Sequence, residues 1–159
     1  MFAPGDKIVH PMHGAGKVEG IVDRDIGGEI RRYYKLKIPV GDMTVLIPVD
    51  TSGDIGVRPV MGKAQAISVL EAIPSIDAEM TSNWNQRYRE NMLRIKSGDL
   101  LEVAKVVKGL FSRDLKRSLS TGERKMLHSA KQILISEMVL ALGRSYEEVE
   151  GEIDHVLHA

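Results

Sequence analysis

The chain has 159 residues, 43% of them hydrophobic and 28% charged, and its 22 basic side chains balance its 22 acidic ones. This is the composition of an ordinary globular protein of one domain or two small ones. The absence of cysteine excludes disulfides and thiolate chemistry and fits a reducing cytoplasm, and neither a bilayer-spanning run of about 20 apolar residues nor a signal-peptide pattern is present.

In chain order, the first sixty residues read as strands. KIVH (7–10) is short and extended. GKVEGIVDRDI (16–26) alternates imperfectly, with a bulge expected at Gly20. A glycine turn at Ile26-Gly27-Gly28-Glu29 leads into IRRYYKLKIPV, and a turn over Pro39 to Asp42 leads into MTVLIPV. IGVRPV closes the series, and Pro48 marks its strand as an edge or an end. Five short strands with tight turns predict a small β-barrel over residues 1–62.

From residue 63 to 159 the period becomes helical. GKAQAISVLEAI stops at Pro74, and SIDAEM is a linker. Thr81 or Ser82 precedes a helix over 83–96. Asp99 with Glu102, Ser120 with Glu123 and Ser145 with Glu148 open three further helices as capping boxes. Apolar stripes, such as Leu100, Val103, Val107, Leu110 and Phe111, predict an all-α bundle. The fold class is therefore α+β, a small barrel followed by a helical bundle.

The neutral total hides a charge pattern. Residues 81–131 carry twelve basic side chains against five acidic, whereas residues 132–159 carry one against six. A basic segment is a footprint for phosphate or a solvated helical face. Within it stands the only tryptophan, in SNWNQRYRENM (82–92). On a helix, Trp84, Tyr88, Met92 and Ile95 fall within an arc of about 80°, which makes Trp84 the first knob of a core stripe. Its place in the first turn, among amides and arginines, suits a ring at the rim of the bundle. There it can stack on a base while neighbouring guanidinium groups meet phosphates. Both readings stand on the sequence alone.

No enzyme emerges. His10 and His13, and His155 and His158, have ligand-like spacing but no third ligand, and HGAG (13–16) is too short for a phosphate loop. No cofactor or metal is expected, and nothing demands a dimer.

Three segments carry a resemblance. PGDKIVHPMHGAGKVEGI (4–21), SNWNQRYRENMLRIKSGD (82–99) and RSLSTGERKMLHSAKQILISE (117–137) resemble the CarD/CdnL family of bacterial RNA polymerase-binding transcription regulators. The resemblance implies a Tudor-like (SH3-like) barrel that binds the polymerase β subunit at its β1 lobe. It also implies a helical domain lying on promoter DNA at the upstream fork of the −10 region, and a nucleoid-associated place in the cell. Trp84 would be a minor-groove wedge that slows bubble collapse. Arg89, Arg124 and Lys125 match basic DNA-facing positions, and Asn83 and Arg87 join them by proximity. Arg24 matches an arginine of the β contact. Leu46 falls where some members carry a second arginine, and alternation leaves open whether it points into the barrel. The competing reading is a protein-interaction adaptor whose bundle never touches DNA.

Overall fold

The computed structural model describes residues 1–159 and pairs the β-branched and aromatic runs of the first sixty into one antiparallel sheet. Its strands are β1 (Lys7–His10), β2 (Gly14–Ile26), β3 (Glu29–Ile38), β4 (Met43–Pro48) and β5 (Arg58–Pro59), in the order β4-β3-β2-β1-β5. β2 and β3 form a long hairpin whose connection is Gly27-Gly28, both at positive φ. Such a two-residue connection matches the twist of the flanking strands, and glycine adopts it without steric cost. The ladder shifts register between Val18 and Gly20, the expected bulge.

The expected closed barrel is not what the ladder forms. β4 pairs only with β3 and β5 only with β1, so the sheet has two edges. The last strand is also shorter than IGVRPV suggests. Ser52–Ile55 is a helical turn, α1, ended by Gly56 at φ 94°, and only two residues remain to pair with β1. Ile8, Val18, Tyr34, Leu36, Ile38 and Ile47 make a small core on one face of the sheet. β3 alternates these buried residues with outward-facing Tyr33, Lys35 and Lys37.

The helices are α2 (Lys63–Ala72), α3 (Trp84–Lys96), α4 (Leu100–Lys116), α5 (Thr121–Leu142) and α6 (Tyr146–His158), with a 3₁₀ turn at Ile73–Ser75 where Pro74 ends the α-helical pattern. The side chains of Asn83, Asp99, Ser120 and Ser145 cap α3 to α6 by accepting a backbone N–H from the first turn. Asn83, rather than Thr81 or Ser82, opens the tryptophan helix. The reciprocal half of each expected capping box is not made. Glu102 pairs with Lys105, Glu123 pairs with Arg87, and Glu148 accepts from the Ser145 hydroxyl. The apolar stripes meet in one larger core that includes Leu70, Val107, Leu110, Leu134, Met138 and Ile153.

Sheet and bundle meet along α5. The Ala15 N–H donates to the buried Ser136 Oγ at 2.9 Å. Beside it, a side chain at Gly14 would come within 2.5 Å of that oxygen. Arg58 on β5 then grips Glu137 through both terminal guanidinium nitrogens at 2.7 Å, and the Met61 N–H adds a third bond to the same carboxylate.

Candidate functional site

Trp84 is the first residue of α3, and its ring is held from three sides. The indole lies on Tyr88 with centroids 5.1 Å apart and planes 18° from parallel. The indole N–H donates to Ser120 Oγ at 3.0 Å, the same oxygen that caps α5. Gly122, in the first turn of α5, borders the rings, and a Cβ there would make ordinary van der Waals contact with the indole edge at 3.7 Å. The remaining surface faces solvent, and Trp84 is 41% exposed. The ring is neither enclosed in the core nor free to rotate. Its one polar group is satisfied inside the protein and its apolar face is presented outward.

Beneath the ring lies a buried ion pair. The Arg87 guanidinium meets the Glu123 carboxylate at 2.7 and 3.0 Å and also donates to the carbonyls of Thr81 and Ser82. Arg87 is 3% exposed and Glu123 2%. The guanidinium hydrogen bond holds the Glu123 carboxyl below the usual carboxylate range, against the opposing effect of burial, and the attraction of Arg87 adds to it. The same bond raises Arg87. This corrects the expectation that Arg87 contacts DNA directly. Its donors are spent inside the protein, where it locks the start of α3 to the start of α5.

The buried stripe of α3 is accordingly Arg87, Asn91 and Ile95, with Tyr88 and Met92 half-buried beside it. An apolar-periodicity reading passes over the first two because they are polar. Asn83 is exposed, but its side-chain oxygen caps α3 by accepting the Gln86 N–H at 2.9 Å. Arg89, Arg124 and Lys125 are exposed on α3 and the first turn of α5, and Arg124 makes one bond to the Leu119 carbonyl at 3.3 Å. The helix starts thus gather Trp84, Asn83, Arg124 and Lys125 at one end of the bundle. Arg89 lies one turn along α3 in a shallow groove with Asn83, Gln86, Glu90 and Leu93.

On the sheet, register decides the side-chain directions. Leu46 pairs with Lys35 and Arg24 with Arg31, so both project from the face opposite the Tyr34, Leu36 and Ile47 core. Leu46 does not point inward; it is 37% exposed. Ile26 and Ile30 at the hairpin tip are also exposed. Arg24, Ile26 and Leu46 make a mixed cationic and apolar surface on β2 to β4, while Ile30, paired with Asp25, projects from the other face.

Several contributing residues had no functional signal in the sequence. Ser120 and Glu123 read as a helix cap, and Tyr88 as a core knob. Glu137 was legible as an oddity: a lone carboxylate inside the apolar run ILISEMVLAL, which implies a buried partner.

Residues 2–61 match the family described as the CarD-like/TRCF RID domain, and residues 68–154 match the CarD C-terminal domain. The chain belongs to the CarD family. A relative in Bacillus subtilis (strain 168), named "Putative transcription factor YdeB", is 33% identical over 151 residues, covering 95% of this chain and 99% of the relative. This CarD-type protein is thus a transcription factor whose N-terminal domain implies interaction with RNA polymerase. The family is one of regulators and not a known enzyme class. No helix is long and apolar enough to cross a membrane.

Proposed function

We propose that this CarD-family protein binds the β subunit of RNA polymerase, at the β1 lobe, through Arg24, Leu46 and the outer face of the β2–β3 hairpin, and stabilises the promoter open complex by setting Trp84 against the upstream edge of the melted −10 region. The observation that carries the proposal is the half-exposed indole whose N–H is already bonded to Ser120. A ring fixed in this way enters a base step with no unpaired donor to desolvate and little rotational freedom to lose. Inserting an apolar ring into intact duplex costs a few kcal/mol of unstacking, and less where the strands have already parted. The protein therefore binds the open promoter better than the closed one and shifts that equilibrium by the difference in affinity. Arg89, Arg124 and Lys125 supply phosphate contacts, and Asn83 offers its amide N–H donors beside the ring. With zero net charge, the free protein binds DNA feebly; the polymerase supplies the effective concentration.

The test is the lifetime of the open complex on a promoter with saturating protein. Trp84→Ala shortens that lifetime about tenfold, equivalent to about 1.4 kcal/mol, while affinity for the isolated β lobe stays unchanged. An unaltered lifetime from a folded variant removes the wedge. Arg24→Glu does the reverse: it weakens binding to the β lobe, and normal affinity there takes Arg24 out of the interface. The adaptor reading differs in its response to salt. A phosphate-contacting bundle loses affinity for polymerase on fork DNA steeply as salt rises, and an apolar protein-only contact does not.

A further inference from the structure

At the far end of the bundle from Trp84, α2 and α6 border an open groove of about 680 Å³. Its floor is apolar: Leu70 and Leu142 belong to the main core, and Ile67 and Val156 pack on it while remaining half-exposed. Its rim is acidic, with Glu71 on α2 and Glu147, Glu148 and Glu152 on α6. Arg144 is the one arginine or lysine of the lining, and it is engaged by Glu152. The other ion pair of α6 joins Asp154 to Lys131, which leaves Glu71, Glu147 and Glu148 without a cation.

Glu147 and Glu148 have a reason to be where they are, since carboxylates favour the first turn of a helix. Glu71 does not. It lies in the last turn of α2, where the helix dipole disfavours an anion and no basic residue offsets it. Glu71 is exposed and gains nothing from its own helix end, so it is free to pair with a cation arriving from outside.

We propose that this groove docks a cationic amphipathic helix of a partner protein, its apolar stripe on Ile67, Leu70, Leu142 and Val156 and its lysines or arginines on the Glu71, Glu147 and Glu148 rim. The charge of the rim selects the occupant. Nucleic acid and anionic lipid are repelled by three free carboxylates. A second copy docking by two-fold symmetry brings two acidic rims together, and a head-to-tail copy makes a contact that does not close and grows into filaments. A basic helix laid in a groove uses both features at once, apolar anchors at i, i+3, i+4 and i+7 and charges along the edge. α5 is 22 residues long, so its two ends stand about 33 Å apart. The groove at Leu142 is therefore open while the Ser120 end is occupied.

The probe is a synthetic helical peptide of about 14 residues built from leucine and lysine, with leucines in one stripe, titrated calorimetrically into the full-length protein. A second peptide has the same composition with the leucines scrambled around the helix. The expected result is one-to-one binding of the striped peptide, at least about tenfold tighter than the scrambled one. Glu71→Lys with Glu147→Lys weakens it by at least about tenfold. Glu71→Gln with Glu147→Gln, checked for folding by circular dichroism, weakens it in the same direction if the Lys variant does not fold. Equal binding of both peptides, or binding indifferent to the rim variants, overturns the docking groove. Self-association of the wild type by light scattering, abolished by the same variants, also overturns it by making a second copy the occupant. The rim variants leave open-complex lifetime with purified polymerase unchanged, so this groove and the Trp84 wedge stand or fall separately.

Discussion

Trp84 owes its pose to polar residues as much as to the Tyr88 ring on which it stacks. Ser120 orients the indole and caps α5 with a single oxygen, and Arg87 with Glu123 ties the two helix starts together below it. Glu123→Gln tests the second device. Removing one partner of a buried pair leaves the other charge uncompensated and costs about 3–5 kcal/mol, so the variant unfolds at lower urea than wild type at neutral pH. The pH dependence has a definite sign. The folded-state carboxyl titrates below its ordinary value, so its stabilisation is fully present above the ordinary glutamate range, near about 4.3. It is lost as pH falls through the lower folded-state value. Wild type and Glu123→Gln should therefore converge in stability as acid is added; curves that stay parallel would show that the pair does not act in this way.

At the scale of the elements, the sequence was legible wherever pattern and packing agree. The four caps Asn83, Asp99, Ser120 and Ser145 sit at or within a residue of where polar residues precede apolar stripes, and the Gly27-Gly28 connection follows from its composition alone. What stayed hidden depends on partners far along the chain. The open sheet edge, the inward guanidinium of Arg87 and the outward turn of Leu46 are set by register and by residues 36 or more positions away or on another strand. The exposed indole was foreseen only as one of two readings, because helical periodicity cannot see the end of a bundle. Close approach separates glycines in the same way. A Cβ at Gly16 would run into the carbonyl of Lys37 on the neighbouring strand, while one at Gly109 would meet only the end of the Met80 side chain. Gly16→Ala should thus cost about 1–3 kcal/mol through forced backbone movement. Gly109→Ala should cost less than that, because Met80 can swing aside and alanine favours the helix. Urea denaturation of the two variants decides it, and a smaller loss at Gly16 would mean that the sheet yields.

For the whole molecule, the proposed function requires that a sheet docked on polymerase aim a ring at DNA. A tethered wedge works only if its direction is fixed as well as its reach, since a flexible joint spreads the same effective concentration over many orientations. The junction here is built to resist that. Glu137 is 0% exposed, and Arg58 reaches from β5 to bind both it and the carbonyl of Gly98 between α3 and α4. One side chain thereby joins the sheet, the α3–α4 loop and α5. Glu137→Ala strands Arg58 at a half-buried site and removes the acceptor of the Met61 N–H, for a loss of about 3–5 kcal/mol. The diagnostic is the division of its effects. Because Arg24 lies toward the hairpin end of β2, nine residues along the strand from the Ala15 contact with α5, affinity for the isolated β lobe should persist at temperatures where the variant stays folded. Open-complex lifetime should fall toward that of Trp84→Ala although the tryptophan is still present. If lifetime instead holds at the wild-type value while stability drops, the clamp serves folding alone and the aim of the ring is set by the Ala15–Ser136 contact between β2 and α5.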